Sequence, residues 1–200
     1  MEKVIFFSHD GLKIEAEIFG KSDHMIILVH GKAFDMQSWE LLAKYLEEQG
    51  FSTMPFNFRG YGNSQSKDSK YEFDVLGAID YALKDHKYVS VIGASMGGTA
   101  TLRALEISKS SIDGLILLSP AGLPKSFSDL SGKAKKALVV FSKGDFVFDT
   151  ANEISKSLPI ETETLVFDGN LHAQNLFRNQ DIAKELKNKI ANFLRSIEGI

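Results

Sequence analysis

Val89-Ser90-Val91-Ile92-Gly93-Ala94-Ser95-Met96-Gly97-Gly98 is the stretch that decides the fold. Its first half, Val89–Gly93, is a continuous apolar run of the kind that forms a strand buried on both faces. Beyond it, Met96–Ser108 has the spacing of an amphipathic helix. Between the two, Gly93-Ala94-Ser95-Met96-Gly97 has the form G-x-S-x-G. With glycine at 16 of 200 residues and serine at 20, about 0.13 such matches arise by accident in a chain of this composition, so the pattern alone says little. Its setting says more. A serine forced into a tight strand-to-helix turn needs small neighbours, and Gly93, Ala94, Gly97 and Gly98 supply them. A phosphate-binding turn fits less well, because neither G-x-G-x-x-G nor G-x-x-x-x-G-K-[ST] follows a strand.

Working outward, the opening residues predict a hairpin. Val4–Ser8 and Leu12–Phe19 flank Asp10-Gly11, a pair that tolerates positive φ, and Ile14, Ala16 and Ile18 alternate with charged residues. Met25–Val29 is another doubly buried strand. Trp39, Leu42, Ala43 and Leu46 then mark a helix ended by Gly50. Strand Ser52–Phe58, helix Phe73–Asp85, the central strand and helix, and strand Gly114–Leu118 follow. Strand Ala137–Phe141, helix Thr150–Ser157, strand Thr164–Phe167 and helix Asp181–Ile197 complete the order, the last with a stripe of Ile182, Leu186, Ile190, Phe193, Leu194 and Ile197. Alternating strands and helices predict an α/β protein with a mostly parallel twisted sheet of about eight strands, covered on both faces. With no linker, repeat or charge block, residues 1–200 are expected to form one domain.

Composition narrows the function. A formal charge of -3 gives no basic footprint for nucleic acid, and the absence of cysteine removes thiolate chemistry, disulfides and Cys-ligated zinc. No paired-histidine spacing suggests a metal, so neither metal nor cofactor is expected. Val4–Phe7 is too short for the core of a secretory signal and no run is long enough to span a membrane, so the expectation is a soluble cytoplasmic protein with no membrane partner. Oligomeric state is not legible.

In an open α/β sheet, chemistry collects on loops leaving the carboxyl ends of strands. Four such loops carry unusual residues: His30–Phe34, Gly93–Gly98, Ser142–Asp145 and Asp168–His172. A serine hydroxyl is a weak nucleophile; it needs a base, and the base needs an orienting acid. Of five histidines, His9 and His24 fall at the amino side of the sheet, His86 ends a helix, and His30 suits shaping its own turn. His172 alone has the right edge and order. For the acid, Asp145 competes with Asp149, which better suits capping the helix expected from Thr150.

On Val29-His30-Gly31 with Trp39, Phe58-Arg59-Gly60-Tyr61-Gly62-Asn63-Ser64, the Ser95 turn, Gly144–Phe148 and Gly169–His172, the chain resembles an α/β-hydrolase-fold serine hydrolase over its whole length. The resemblance implies Ser95, Asp145 and His172 as catalytic residues. It gives the oxyanion hole to the N–H groups of Lys32 (or Ala33) and Met96, and makes Arg59-Gly60-Tyr61-Gly62 a structural turn. This chain departs from relatives at Asp149, where many have proline, and at Leu171, where a small residue is common. It also lacks a cap: only Ser119–Lys136 stand between two strands where lidded relatives carry a helical insertion. The expected activity is hydrolysis of small to medium carboxylic esters or thioesters through an acyl-enzyme, with a small-molecule ester as partner. Phe34, Leu123, Phe127, Phe146 and Phe148 are expected to line the acyl pocket. The alternatives are a peptidase or perhydrolase on the same three residues, or a non-catalytic binding or signalling protein.

Overall fold

The structure is a computed structural model that describes residues 1–199. Eight strands form one sheet: β1 (Glu2–Phe7), β2 (Lys13–Ile18), β3 (His24–Val29), β4 (Ser52–Phe56), β5 (Tyr88–Ala94), β6 (Ile112–Leu118), β7 (Ala134–Ser142) and β8 (Glu161–Phe167). Five helices connect them: α1 (Glu40–Glu48), α2 (Tyr71–Ala82), α3 (Met96–Ile107), α4 (Phe148–Ser157) and α5 (Gln180–Glu198). The strand order is β1-β2-β4-β3-β5-β6-β7-β8. β1 and β2 pair antiparallel, β2 meets β4 antiparallel, and β3 to β8 run parallel.

The central strands are apolar throughout because both faces are covered. In β3, Met25, Ile27 and Val29 join a core with α2, α3 and α4, while Ile26 and Leu28 face Trp39, Leu42 and Leu46 of the α1 side and Leu186, Ile190 and Leu194 of α5. Each such side chain contributes about 1.5–3 kcal/mol when fully buried. The α5 stripe lies where its spacing placed it, and Asn179 caps the helix by accepting from the Asp181 and Ile182 N–H groups. No helix among the described residues is long and apolar enough to cross a membrane.

Departures from the expected boundaries have local causes. β4 stops at Phe56 rather than Phe58 because the Asn57 N–H goes to the Glu15 carbonyl and the Phe58 N–H to His30 Nε2. β7 and β8 begin three residues earlier than expected, taking in Ala134-Lys135-Lys136 and Glu161-Thr162-Glu163. At these sheet margins Lys135 pairs with Asp113 and Lys136 with Glu161, so charges there cost little. α4 starts at Phe148, not near Thr150, and Asp149 is an exposed first-turn residue rather than the cap. The Val147 N–H at the head of that helix is instead accepted by Asp145 Oδ1 at 3.1 Å. Two 3₁₀ turns, Met36–Trp39 and Ala173–Arg178, had no periodic signal.

Arg59 anchors the corner where β4 leaves the sheet. Its side chain is fully buried and bonds Asp74, Asp10 and Asp68, joining the hairpin turn, the Arg59 loop and the first turn of α2. The Arg59 guanidinium beside Asp10 holds that carboxyl well below the ordinary range. Burial pushes Asp74 the other way.

Candidate active site

The turn after β5 is built around a strained serine. Ser95 has φ 51 and ψ -115, a left-handed backbone that L-residues rarely adopt. Close packing holds it there: a Cβ on Gly97 would lie 2.4 Å from the Val29 carbonyl oxygen, and one on Gly93 would lie 2.8 Å from Gly98 Cα. These glycines are therefore needed for approach. The turn aims Ser95 Oγ at His172 Nε2, 2.8 Å away.

His172 leaves the end of β8, and its Nδ1 lies 2.9 and 3.0 Å from the two Asp145 oxygens. The Asp145 side chain is fully buried, whereas His172 is 18% exposed. Burial would push the Asp145 carboxyl up. Hydrogen bonds from His172, Ser119 and the Val147 N–H outweigh it and hold the group below the ordinary carboxylate range. A carboxylate accepting on Nδ1–H leaves Nε2 as the acceptor facing the serine hydroxyl, the tautomer a general base requires.

The structure thus brings Ser95, His172 and Asp145 into one line of hydrogen bonds and leaves Asp149 outside it. Neighbouring loops brace the line. Ser119, after β6, accepts from the Ala173 N–H at 2.9 Å, and Ser142 Oγ donates to the Leu171 carbonyl at 2.8 Å. Ser95, Ser119 and Ala173 are the three non-glycine residues with positive φ among the described residues, and all three border this site. Left-handed residues cost about 1–3 kcal/mol each and persist where surrounding structure over-determines them. Ser119 carried no motif signal; only its place at the carboxyl end of β6 marked it.

The Gly31–Phe34 turn stands against Ser95: a Cβ on Gly31 would lie 3.5 Å from Ser95 Cβ. The Phe34 N–H closes the turn on the Gly31 carbonyl, and the Tyr61 hydroxyl donates to the Lys32 carbonyl at 3.0 Å. Among the described residues neither the Lys32 nor the Ala33 N–H goes to a protein acceptor. Met96 opens α3, so its N–H belongs to the helix-end donors that have no partner within the helix. His30, fully buried, shapes the turn through Nδ1 to the Gly31 carbonyl at 2.8 Å. Burial pushes its imidazole below the ordinary range, which suits the neutral form that accepts from Phe58.

The five residues expected to line a pocket divide. The Phe146 ring, 82% exposed, packs 4.4 Å from the His172 ring. Phe34 is half-buried beneath the Arg178 guanidinium, and Leu123 is exposed. Phe127 and Phe148 are instead half-buried against the core on the α2–α3–α4 face, Phe148 edge-on to Phe141 at 5.5 Å. The β6–β7 connection explains this. It starts with the Ala121 N–H on the Ser95 carbonyl and then lies back along α3, with Gly122 close to Thr99 and the Ser126 N–H on Glu106 at that helix's far end. A groove of about 520 Å³ runs beside the β1–β2 hairpin, lined by Val4, Glu15, Ala16 and Met36 among others, and contains none of the three bonded residues.

A serine on a strand-to-helix elbow, bonded to a histidine and an aspartate that follow later strands of a doubly covered, mostly parallel sheet, marks the α/β-hydrolase fold. Within that class, the model of the family described as "Serine aminopeptidase, S33" matches residues 20–191, and the chain belongs to that family. An esterase from Pyrococcus furiosus shares the fold with a TM-score of 0.81 at 18% identity, covering 98% of this chain and 92% of that one. Est1E from Butyrivibrio proteoclasticus, solved with ferulic acid bound, aligns with a TM-score of 0.80 at 16% identity over 98% of this chain and all (100%) of its own. A putative esterase/lipase of Mycoplasma pneumoniae is 30% identical over 101 residues. That match spans 48% of this chain but only 38% of the relative. The AB hydrolase superfamily protein YisY of Bacillus subtilis is 26% identical over 186 residues, covering 80% of this chain and 68% of its own.

Proposed function

We propose that the protein hydrolyses carboxylic esters or thioesters of small to medium acyl groups through an acyl-enzyme on Ser95. The observation that carries the reading is the Ser95–His172–Asp145 line of bonds ending on a strained, glycine-packed elbow. Ser95 Oγ attacks the carbonyl carbon while His172 Nε2 takes its proton. Asp145 holds the imidazole in register and balances its positive charge. The N–H groups of Lys32 and Met96 meet the developing oxyanion; two fixed dipoles act there without reorganising, and losing one typically costs about 10²–10³ in rate. His172 returns the proton to the departing alcohol or thiol, then takes one from the water that attacks the acyl-enzyme and gives it to Ser95 Oγ as the acid leaves.

The class of bond is argued from leaving group and walls. An amine is a poorer leaving group than an alcohol or thiol, and a peptide needs an extended wall to hold it in place. Here the β6–β7 connection turns away along α3. Esters with compact acyl groups need neither. The family description and a resemblance to a dipeptidyl peptidase family member of Caenorhabditis elegans, 31% identical over 115 residues but spanning 16% of that protein, give the peptidase reading its own support. Matched acyl series of p-nitrophenyl esters, thioesters and p-nitroanilides separate the two. We expect ester and thioester turnover with no comparable anilide turnover. Each added methylene is worth about 0.8 kcal/mol only while protein covers it, so kcat/KM should level off between about two and eight carbons. Rates climbing steadily to sixteen carbons, or an anilide preference, overturn the reading.

A further inference from the structure

We infer that Gln174 is a positioning residue that locks the oxyanion turn to the loop carrying His172; the inference rests on the hydrolase reading above. Gln174 lies two residues beyond His172, in the Ala173–Arg178 turn, and is 5% exposed. Its Oε1 accepts from the Gly31 N–H at 2.8 Å, and its Nε2 donates to Ser38 Oγ, which itself donates to the Asp35 carbonyl. The orientation of the amide is forced: a backbone N–H is only a donor, so the atom facing Gly31 is oxygen and the nitrogen faces Ser38.

One buried side chain therefore grips both ends of the Gly31–Ser38 segment, whose middle, Lys32 and Ala33, is exposed to solvent. The direction of that middle comes from its two ends, from the Phe34 N–H on the Gly31 carbonyl, from Asn57 on the Met36 N–H and from Tyr61 on the Lys32 carbonyl. The same side chain ties the segment to the base. Imidazolium and oxyanion appear together in the reaction, so the donor and the base must hold a fixed separation as charge develops. Gln174 spans that separation. Glutamine suits the task because it accepts and donates from one planar group. Methionine has the length with neither function, and glutamate keeps the acceptor and loses the donor.

A donor that meets charge only in the transition state lowers kcat when displaced and leaves KM alone. The test measures p-nitrophenyl acetate turnover per active site, with sites counted by fluorophosphonate titration, in wild type, Gln174→Met, Gln174→Glu and Ser38→Ala. We expect Gln174→Met to lower kcat per titrated site by about tenfold to a hundredfold, short of losing a donor outright, with KM within about twofold. Gln174→Glu should recover part of that loss. Ser38→Ala, an exposed position that tolerates substitution even if Gln174→Met fails to fold, should lower kcat about threefold with KM unchanged. A purely structural role would reduce the number of titratable sites and leave kcat per site intact. That result, or Gln174→Glu no better than Gln174→Met, or an unchanged Ser38→Ala, overturns the assignment. A wild type that neither takes the probe at Ser95 nor turns over the ester overturns the hydrolase reading and this role with it.

Discussion

Two Ser–His–acid networks occupy opposite edges of the same sheet. At the carboxyl edge Ser95 Oγ lies 2.8 Å from His172 Nε2, and His172 Nδ1 lies 2.9 Å from Asp145. At the amino edge Ser90 Oγ lies 2.8 Å from His24 Nε2, and His24 Nδ1 lies 2.9 Å from Glu198. Even the choice of ring nitrogens agrees. The surroundings do not. Ser90 sits in mid-strand on β5, fully buried and so close to β6 that a Cβ on Gly114 would meet its Oγ at 2.6 Å. His24 is sealed between the Phe51 and Tyr88 rings. No carbonyl carbon reaches that hydroxyl. The contrast teaches that the constellation alone is a way of satisfying buried polar groups; a reaction centre needs, besides it, access, a hydroxyl lifted out of the strand and donors for an oxyanion.

The largest expected contrast is in labelling. A fluorophosphonate probe should modify the folded protein once, at Ser95. Ser95→Ala should abolish the adduct and Ser90→Ala should leave it, as read by intact-protein and peptide mass spectrometry. An adduct on Ser90 would erase the distinction drawn here. Next come the acids. Asp145→Asn should lower ester kcat/KM by about 10⁴, since an amide holds the wrong imidazole tautomer. Glu198→Gln at the other edge, and Asp149→Asn on the exposed first turn of α4, should each stay within about twofold. Comparable losses in all three would mean that Asp145 is not the orienting acid.

The smallest effect belongs to the sealed network and is one of stability. Burial pushes His24 below its ordinary value of 6.5, with Glu198 and Asp113 opposing and His86 reinforcing. A folded-state pKa below the unfolded one means that the unfolded chain binds the proton more readily. The stability is therefore complete above about pH 6.5 and lost as the pH falls toward the folded value. Tm measured from pH 7 to 5 should fall by about 2–4 °C per kcal/mol lost. His24→Gln should start lower and fall less over that interval; an equal slope in both proteins would place the proton uptake elsewhere.

The sheet was legible because parallel strands announce themselves: Met25–Val29 and Val89–Gly93 are apolar on both faces, and helices alternate between them. The meeting of Ser95, Asp145 and His172 was legible from their order at strand ends. What the sequence hid were links between distant loops. Gln174 meets Gly31 across 143 positions, and Ser119 meets Ala173 across 54; neither leaves a periodic trace. β8 hid its first three residues because Glu161-Thr162-Glu163 on an edge strand reads as loop chemistry. His24, expected at the amino side of the sheet, begins β3 there. A strand's first residue looks polar in sequence whether its partner is water or Ser90.

The order in which these pieces enter the chain has a consequence for how the protein is made. His172, Gln174 and Glu198 all lie in the last segment, β8 to the end of α5. During synthesis, which delivers the amino end first, Ser95 and Asp145 leave the ribosome before their histidine exists, and Ser90 and His24 before their acid. The nascent chain holds an unactivated serine and an open amino edge. Docking of β8 and α5 then brings His172 to Ser95 at one edge and Glu198 to His24 at the other. Completion of the two Ser–His–acid networks and of the sheet thus falls in the same folding event.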